Sequence, residues 1–201
     1  MSKFKAIGFD WGGVIYGKPS PIFNKQISKV IGVTPEAYRA AHYKHNALTN
    51  VKNYSFEKFW PIVLKELGKE DKYEAAMNYF KNRPANQINK SMVRLIERLK
   101  KKGYKLGMLS NNTREGGEKI RKSEVAKFFD VILISAEIGH MKPHKEAFNL
   151  LAHKLKVKPT ELLFIDDTER VFSLSKEIGY YPLPFTSYTK LAKDLKELEI
   201  I

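Results

Sequence analysis

Four runs of this chain, FKAIGF at 4–9, YKLGML at 104–109, VILI at 131–134 and LLFI at 162–165, are apolar almost without interruption. A strand with one wet face alternates apolar and polar side chains, whereas a strand covered on both faces does not. These runs therefore restrict the chain to a parallel sheet with helices on both faces. A fifth run, YPLPF at 181–185, carries two prolines that cannot donate to a ladder, so it is predicted as an edge strand.

Helical periodicity fills the gaps between the later strands. In 90–102, Met92, Leu95, Ile96 and Leu99 recur at helical spacing, and Gly103 supplies a stop. In 143–156, Phe148, Leu151, Ala152 and Leu155 share a face, with Pro143 placed in the first turn. Residues 168–178 and 187–199 are also amphipathic. Strand alternating with helix gives an α/β fold, a Rossmann-like doubly wound parallel sheet of about five strands.

The stretch 19–85 breaks the alternation. It holds no convincing strand and reads as four helices, at about 20–31, 35–48, 55–67 and 70–82. Thr34, Pro35 and Glu36 open the second with a cap, a helix-start proline and an early acid. The expected organisation is a core of 1–18 and 86–201 interrupted by an all-helical insert at 19–85. An insert just past the carboxyl end of a strand lies where α/β sheets bind ligands, so it is expected to cover the site.

Composition narrows the class. With no cysteine, the chain has neither a disulfide framework nor a thiolate metal site. No run of eighteen apolar residues is present and MSKFKAIGFD meets a charge early, so neither a membrane span nor a signal peptide is expected. The expectation is a cytoplasmic protein. Lys and Arg number 36 against 22 Asp and Glu, a net charge of +14, which suits anionic partners. The basic residues are dispersed. Lys100, Lys101 and Lys102 form the only triplet, at a helix end, and no basic tail or nucleic-acid motif accompanies them. This disfavours nucleic acid.

The chemistry-bearing residues gather at one kind of place, the carboxyl ends of strands. Asp10 follows the first strand, and Ser110, Asn111 and Asn112 follow the second. Lys142 lies shortly after the third, and Asp166 and Asp167 follow the fourth. One such aspartate is ordinarily a turn cap; four sets at the same edge are more than capping needs. Three carboxylates in one crevice repel one another unless a hard cation such as magnesium joins them. A cation, a lysine, a hydroxyl and backbone N–H groups together suit a phosphoryl group.

FDWGGVI, LSNN, the stretch from Met141 to Phe148 beginning MKP, and FIDD, in this order, resemble the four motifs of the haloacid dehalogenase-like hydrolase superfamily. The helical insert sits where that superfamily carries a C1-type cap. The glycines of the first motif and the paired aspartates resemble its small sugar-phosphatase and epoxide-hydrolase N-domain branch. The resemblance implies a Mg2+-dependent phosphatase acting on a small phosphorylated metabolite. Asp10 would be the nucleophile and a metal ligand, the carbonyl of Gly12 a second ligand, and Asp167 a direct ligand. Asp166 would bind directly or through water. Ser110 and the N–H of Asn111 would hold the phosphoryl oxygens, and Lys142 would offset the charge of Asp10 and phosphate. A monomer and a homodimer both remain open.

Two departures from the family pattern stand out. Most phosphatases of the superfamily carry an acid/base aspartate where this chain has Gly12. Another acid or asparagine often stands where this chain has Val171, preceded by Arg170. Loss of the acid leaves three readings: a phosphatase, one favouring good leaving groups, or a phospho-ligand-binding protein with little turnover. A 2-haloacid dehalogenase would use the same Asp10. Trp11 is expected either to line the pocket or to pack beneath the insert. His140, His144, His42 and His45 are expected at solvent-facing or helix positions, and Gly116–Gly117 in a loop or helix start.

Overall fold

The computed structural model describes residues 3–201. Five strands, β1 (Ala6–Phe9), β2 (Lys105–Ser110), β3 (Val131–Ile134), β4 (Leu162–Asp166) and β5 (Tyr181–Pro184), form one parallel sheet in the order β3-β2-β1-β4-β5. The order puts β1 between β2 and β4, so Asp10, which follows β1, and Ser110 and Asp166, which end β2 and β4, stand on neighbouring strands. The proline-bearing β5 is an edge, where a missing N–H costs no ladder bond.

Side chains alternate between two apolar layers, as the pleat requires. Ile7, Phe9, Met108, Leu163 and Ile165 pack on one face with Met92, Leu95, Ile96 and Leu99 of α6 (Lys90–Lys101). Ala6, Leu109, Leu162 and Phe164 pack on the other with Phe148, Leu151 and Leu155 of α9 (Lys145–Lys154). Each buried leucine or phenylalanine contributes about 1.5–3 kcal/mol. Register pairs Gly8 with Gly107, and a β-carbon at either would collide with Phe164 or Leu151. The glycines let α9 sit close against the sheet.

Between β1 and α6 lie α1 (Ser20–Ile31), α2 (Pro35–His45), α3 (Ala47–Asn50), α4 (Phe56–Glu66) and α5 (Tyr73–Asn82). The Thr34 hydroxyl caps α2 by accepting from the N–H of Ala37 at 3.1 Å. These helices have their own core. In it Tyr38 and Trp60 stack 6.1 Å apart, joined by Ile27, Ile31, Phe59 and Val63. The chain enters and leaves this unit side by side, since Tyr16 bridges Ile88 and Gly17 N–H donates to the Gln87 carbonyl at 3.0 Å.

Three expected elements differ. The 35–48 helix is two, with Asn46 between α2 and α3. Pro143 precedes α9 rather than starting it, because the His144 N–H turns back to the Met141 carbonyl at 2.9 Å. The 168–178 segment is a short 3-10 turn, Glu169–Phe172, followed by α10 (Ser175–Ile178). The glycine pair 116–117 lies inside α7 (Arg114–Arg121), and α8 (Ser135–Ile138) follows β3 directly. The chain closes with α11 (Tyr188–Glu197). No helix among the described residues is long and apolar enough to cross a membrane.

Candidate active site

The carboxyl ends of β1, β2 and β4 floor a cleft of about 1170 Å3, and α1, α2, α3 and α5 contribute its opposite wall. A crevice outside the strand ends is where ligands enter such sheets. Asp10 continues β1, its N–H held by the Ile165 carbonyl at 2.9 Å. Asp166 ends β4, and Asp167 follows it. One carboxylate oxygen from each of Asp10, Asp166 and Asp167 lies within 4.8 Å of the others.

Lys142 sits between two of the three. Its Nζ is 2.8 Å from Asp10 Oδ1 and 2.5 Å from Asp166 Oδ2, and its side chain is 2% exposed. Burial works against its charge, but Asp10 and Asp166 outweigh that and hold the ammonium above the ordinary lysine range. The acids lean the same way. Burial raises the Asp166 carboxyl, Lys142 pulls it back, and Asp10 and Asp167 raise it further. Asp167 is likewise raised, by burial and then by Asp10. One ammonium cannot neutralise three carboxylates, so the site retains a negative excess when all are ionised. An all-oxygen donor set with that excess fits a hard divalent cation such as magnesium.

The remaining site residues are fixed by contacts with no signature in local spacing. Asn111 clasps the backbone of Lys142: its Nδ2 donates to the Lys142 carbonyl at 3.0 Å and its Oδ1 accepts from the Lys142 N–H at 2.8 Å. Its side chain thus positions the lysine, whereas the sequence pointed to its backbone N–H. Thr168 N–H donates to Asp166 Oδ1 at 2.9 Å and its hydroxyl to Asp167 Oδ1 at 3.2 Å. Asp167 also accepts from the backbone N–H of Ser20. Pro19 offers α1 no side-chain cap, so a carboxylate from the far side of the fold fills that role, where the helix dipole favours negative charge. Thr168 and Ser20 were missed by sequence reasoning. The uncapped start of α1 was the available signal for Ser20.

Ser110 ends β2, 2% exposed, and lines the cleft with Asn111. Trp11 does two things: it lines the cleft and packs in the core, stacked on Tyr16 at 5.3 Å. Gly12 also lines the cleft, and its carbonyl accepts no backbone hydrogen bond among the described residues. Val171 is core, its carbonyl accepting from the Tyr180 hydroxyl at 3.0 Å. Arg170 is exposed but reaches across the cleft, its guanidinium 4.8 Å from the ring of Tyr43 on α2. His140 and His144 are exposed and outside the cleft, while His42 lines it.

Residues 4–170 match the model of a protein family described as haloacid dehalogenase-like hydrolase. Mouse bifunctional epoxide hydrolase 2 is 31% identical over 121 residues, 57% of this chain and 21% of that protein. Pyrophosphatase PpaX of Bacillus mycoides is 34% identical over 73 residues, 36% of this chain and 34% of that one. The matches thus span about a fifth to a third of those relatives' lengths. A HAD-family enzyme of Bacteroides thetaiotaomicron, solved with magnesium and inorganic phosphate, shares the fold. Its TM-score is 0.61 at 19% identity, over 94% of this chain and 98% of that one.

Proposed function

Given that the chain belongs to the haloacid dehalogenase-like hydrolases, we propose that it is a magnesium-dependent phosphatase of small phosphomonoesters. The helical unit at 19–85 would be its cap over a core of 1–18 and 86–201. The observation that carries this is the convergence of Asp10, Asp166 and Asp167 on one point, with Lys142 bridging Asp10 and Asp166, at the floor of a cleft roofed by helices. The phosphatase names of relatives such as the pyrophosphatase above support it. So does the fold shared with an enzyme solved with magnesium and phosphate.

Asp10, Asp166, Asp167 and the Gly12 carbonyl would hold magnesium, which when bound would neutralise charge on the phosphoryl oxygens. Lys142 fixes the Asp10 carboxylate and balances part of its charge. Ser110 and the Asn111 N–H would bind phosphoryl oxygens. The Asp10 carboxylate attacks phosphorus in line, the P–O ester bond breaks, and an aspartyl-phosphate forms. Gly12 has no proton to give, so the departing alkoxide takes one from water. A second water then opens the aspartyl-phosphate, releasing phosphate and restoring Asp10.

Purified protein with magnesium should release phosphate from p-nitrophenyl phosphate and from members of a sugar-phosphate panel. Asp10→Asn should lower that release by about 10³-fold or more, as loss of a nucleophile does. No release from any ester, or equal release by Asp10→Asn, would overturn the proposal. Chloride release from a 2-haloacid in EDTA would replace it with a dehalogenase, a chemistry that needs no acid at position 12.

A further inference from the structure

Lysines that lie dispersed along the sequence are gathered by the fold at one edge. In a parallel sheet every strand starts at the same rim, here opposite the cleft, and the helices that feed those strands end there. Three segments lead into the adjacent strands β1, β2 and β4: residues 3–5, 98–105 and 153–161. They hold ten Lys and Arg against one acid, Glu161, a surplus of +9 within the chain's net charge of +14. Backbone contacts knit them into one surface. Lys105 N–H donates to the Lys5 carbonyl at 3.1 Å, Lys5 N–H to the Glu161 carbonyl at 2.9 Å, and Lys105 Nζ to the Lys156 carbonyl at 3.2 Å. On the flanks, residues 122–130 before β3 and 176–180 before β5 balance charge for charge, and the end of α11 adds acids. The surplus is therefore a stripe, from the end of α6 on one face of the sheet, over three strand starts, to the end of α9 on the other.

Two ordinary uses of lysine leave most of the stripe unexplained. A helix C-terminus carries about half a negative charge, so the ends of α6 and α9 need about one cation between them. Ion pairs take Lys5 with Glu161, Lys100 with Asp130 and Lys101 with Glu97. Among the described residues the other cations of the stripe have no carboxylate partner, and Lys3, Lys102, Lys154, Lys156 and Lys158 are exposed. Like charges held together repel, so the surplus opposes folding unless an anion meets it.

What the stripe lacks narrows the partner. The exposed large apolar side chains are Ile22, Tyr54, Phe56 and Tyr188, none of them in these segments. There is no exposed ring on which an unpaired base could stack and no anchor to enter a lipid surface. All but one of the ten cations are lysine, a point charge without the fork that reads base edges. A sheet with a helix layer on each face is roughly 20 Å between helix axes, a span over which one strand of a duplex presents about six phosphates.

We propose that this edge binds the phosphate backbone of duplex nucleic acid without reading its sequence. The dispersal that argues against nucleic acid in the sequence is a dispersal along the chain, not in space. The acid cluster lies at the other end of β1, roughly 16 Å away, so a bound duplex leaves the cleft open and the proposal is independent of the phosphatase reading.

Fluorescence anisotropy of labelled DNA and RNA duplexes, each in two unrelated sequences, tests it. Both duplexes should bind, with Kd of about 10⁻⁶–10⁻⁴ M at physiological salt, alike for the two sequences, and log affinity should fall against log salt with a slope of about −5. The triple variant Lys102→Gln, Lys154→Gln, Lys156→Gln should weaken binding at least tenfold and make the slope shallower by about 3. Lys29→Gln, Lys58→Gln, Lys65→Gln, an equal charge change at exposed sites of α1 and α4, should not. Unchanged melting temperature and p-nitrophenyl phosphate hydrolysis show that both triple variants are folded, and single substitutions replace either triple that fails this check. No binding of either duplex, or equal loss in the two triple variants, overturns the proposal. So does tighter binding of a single strand than of its duplex. Binding to vesicles of anionic lipid with none to duplexes overturns it in favour of a membrane surface.

Discussion

Gly12 and Gly13 are neighbours without side chains for different reasons. Gly13 has φ +74°, and a β-carbon there would lie 2.1 Å from Asp167 Oδ2. The residue is glycine because an acid occupies the space beside it, and Gly13→Ala must displace Asp167 as well as strain the backbone by about 1–2 kcal/mol. Magnesium should then no longer raise the melting temperature, which calorimetry would show. At Gly12 a β-carbon would meet nothing within 4 Å. Packing therefore leaves room for a β-carbon there, and if the chain is a phosphatase the proton donor can be put back. Gly12→Asp should fold normally and speed hydrolysis of alkyl phosphates about tenfold or more, against the 10²–10⁴ that general acid catalysis typically supplies. Aryl phosphates, whose leaving groups need less help, should gain much less. Equal gains for both classes would contradict the idea that protonation of the leaving group is what this site lacks.

The elements were legible where burial imposes a pattern. Strands covered on both faces lose alternation, so β1 to β4 stood out, and Asp10, Ser110 and Asp166 could be placed at strand ends. Contacts that involve backbone groups left little trace: the uncapped start of α1 hints that Ser20 needs a partner, but no spacing says that the partner is Asp167 or that the Asn111 side chain clasps the backbone of Lys142. The cleft-facing stripe of α2 was equally hidden, because the orientation of a helix in the insert depends on packing far along the chain. That packing sets a pH dependence. The His42 ring lies 5.4 Å from Phe59, edge to face, beside Tyr43, with its Nδ1 3.3 Å from the Tyr38 hydroxyl. Burial pushes the imidazole down to about 4, so the folded helices hold it neutral. Above pH 6.5 both folded and unfolded chains carry neutral His42 and it costs nothing. Below that the unfolded chain gains a proton that the folded one refuses, and stability falls until about pH 4, by up to about 3 kcal/mol. Amide protection factors, which correct for the slower intrinsic exchange at low pH, should therefore fall between pH 6.5 and 4 more in α1, α2 and α4 than in α6 or α9. His42→Phe should remove the difference.

At the scale of the molecule, two apolar cores are joined by a narrow pair of linkers, Tyr16–Gly17 beside Gln87–Ile88. Such a joint leaves the angle between them to a few contacts across the cleft. These include the Ser20 to Asp167 hydrogen bond, the Arg114 N–H donated to Asn53 Oδ1 at 2.9 Å, and Arg170 over Tyr43. The first is part of the acid cluster and cannot be altered without touching it, but the last can. An exposed cation–π pair is worth about 0.5–1 kcal/mol, which shifts an open–closed equilibrium by about two- to fivefold. If the helical unit is a cap that closes over substrate, Arg170→Ala should raise KM by that factor and leave kcat equal or higher, since opening releases product. Tyr43→Phe keeps the ring and should not mimic it. Tyr43→Ala should mimic it, and the double variant Arg170→Ala with Tyr43→Ala should be no worse than either alone, because both remove one interaction. Additive losses in that cycle would mean that the two residues act separately, as substrate contacts rather than as a clasp.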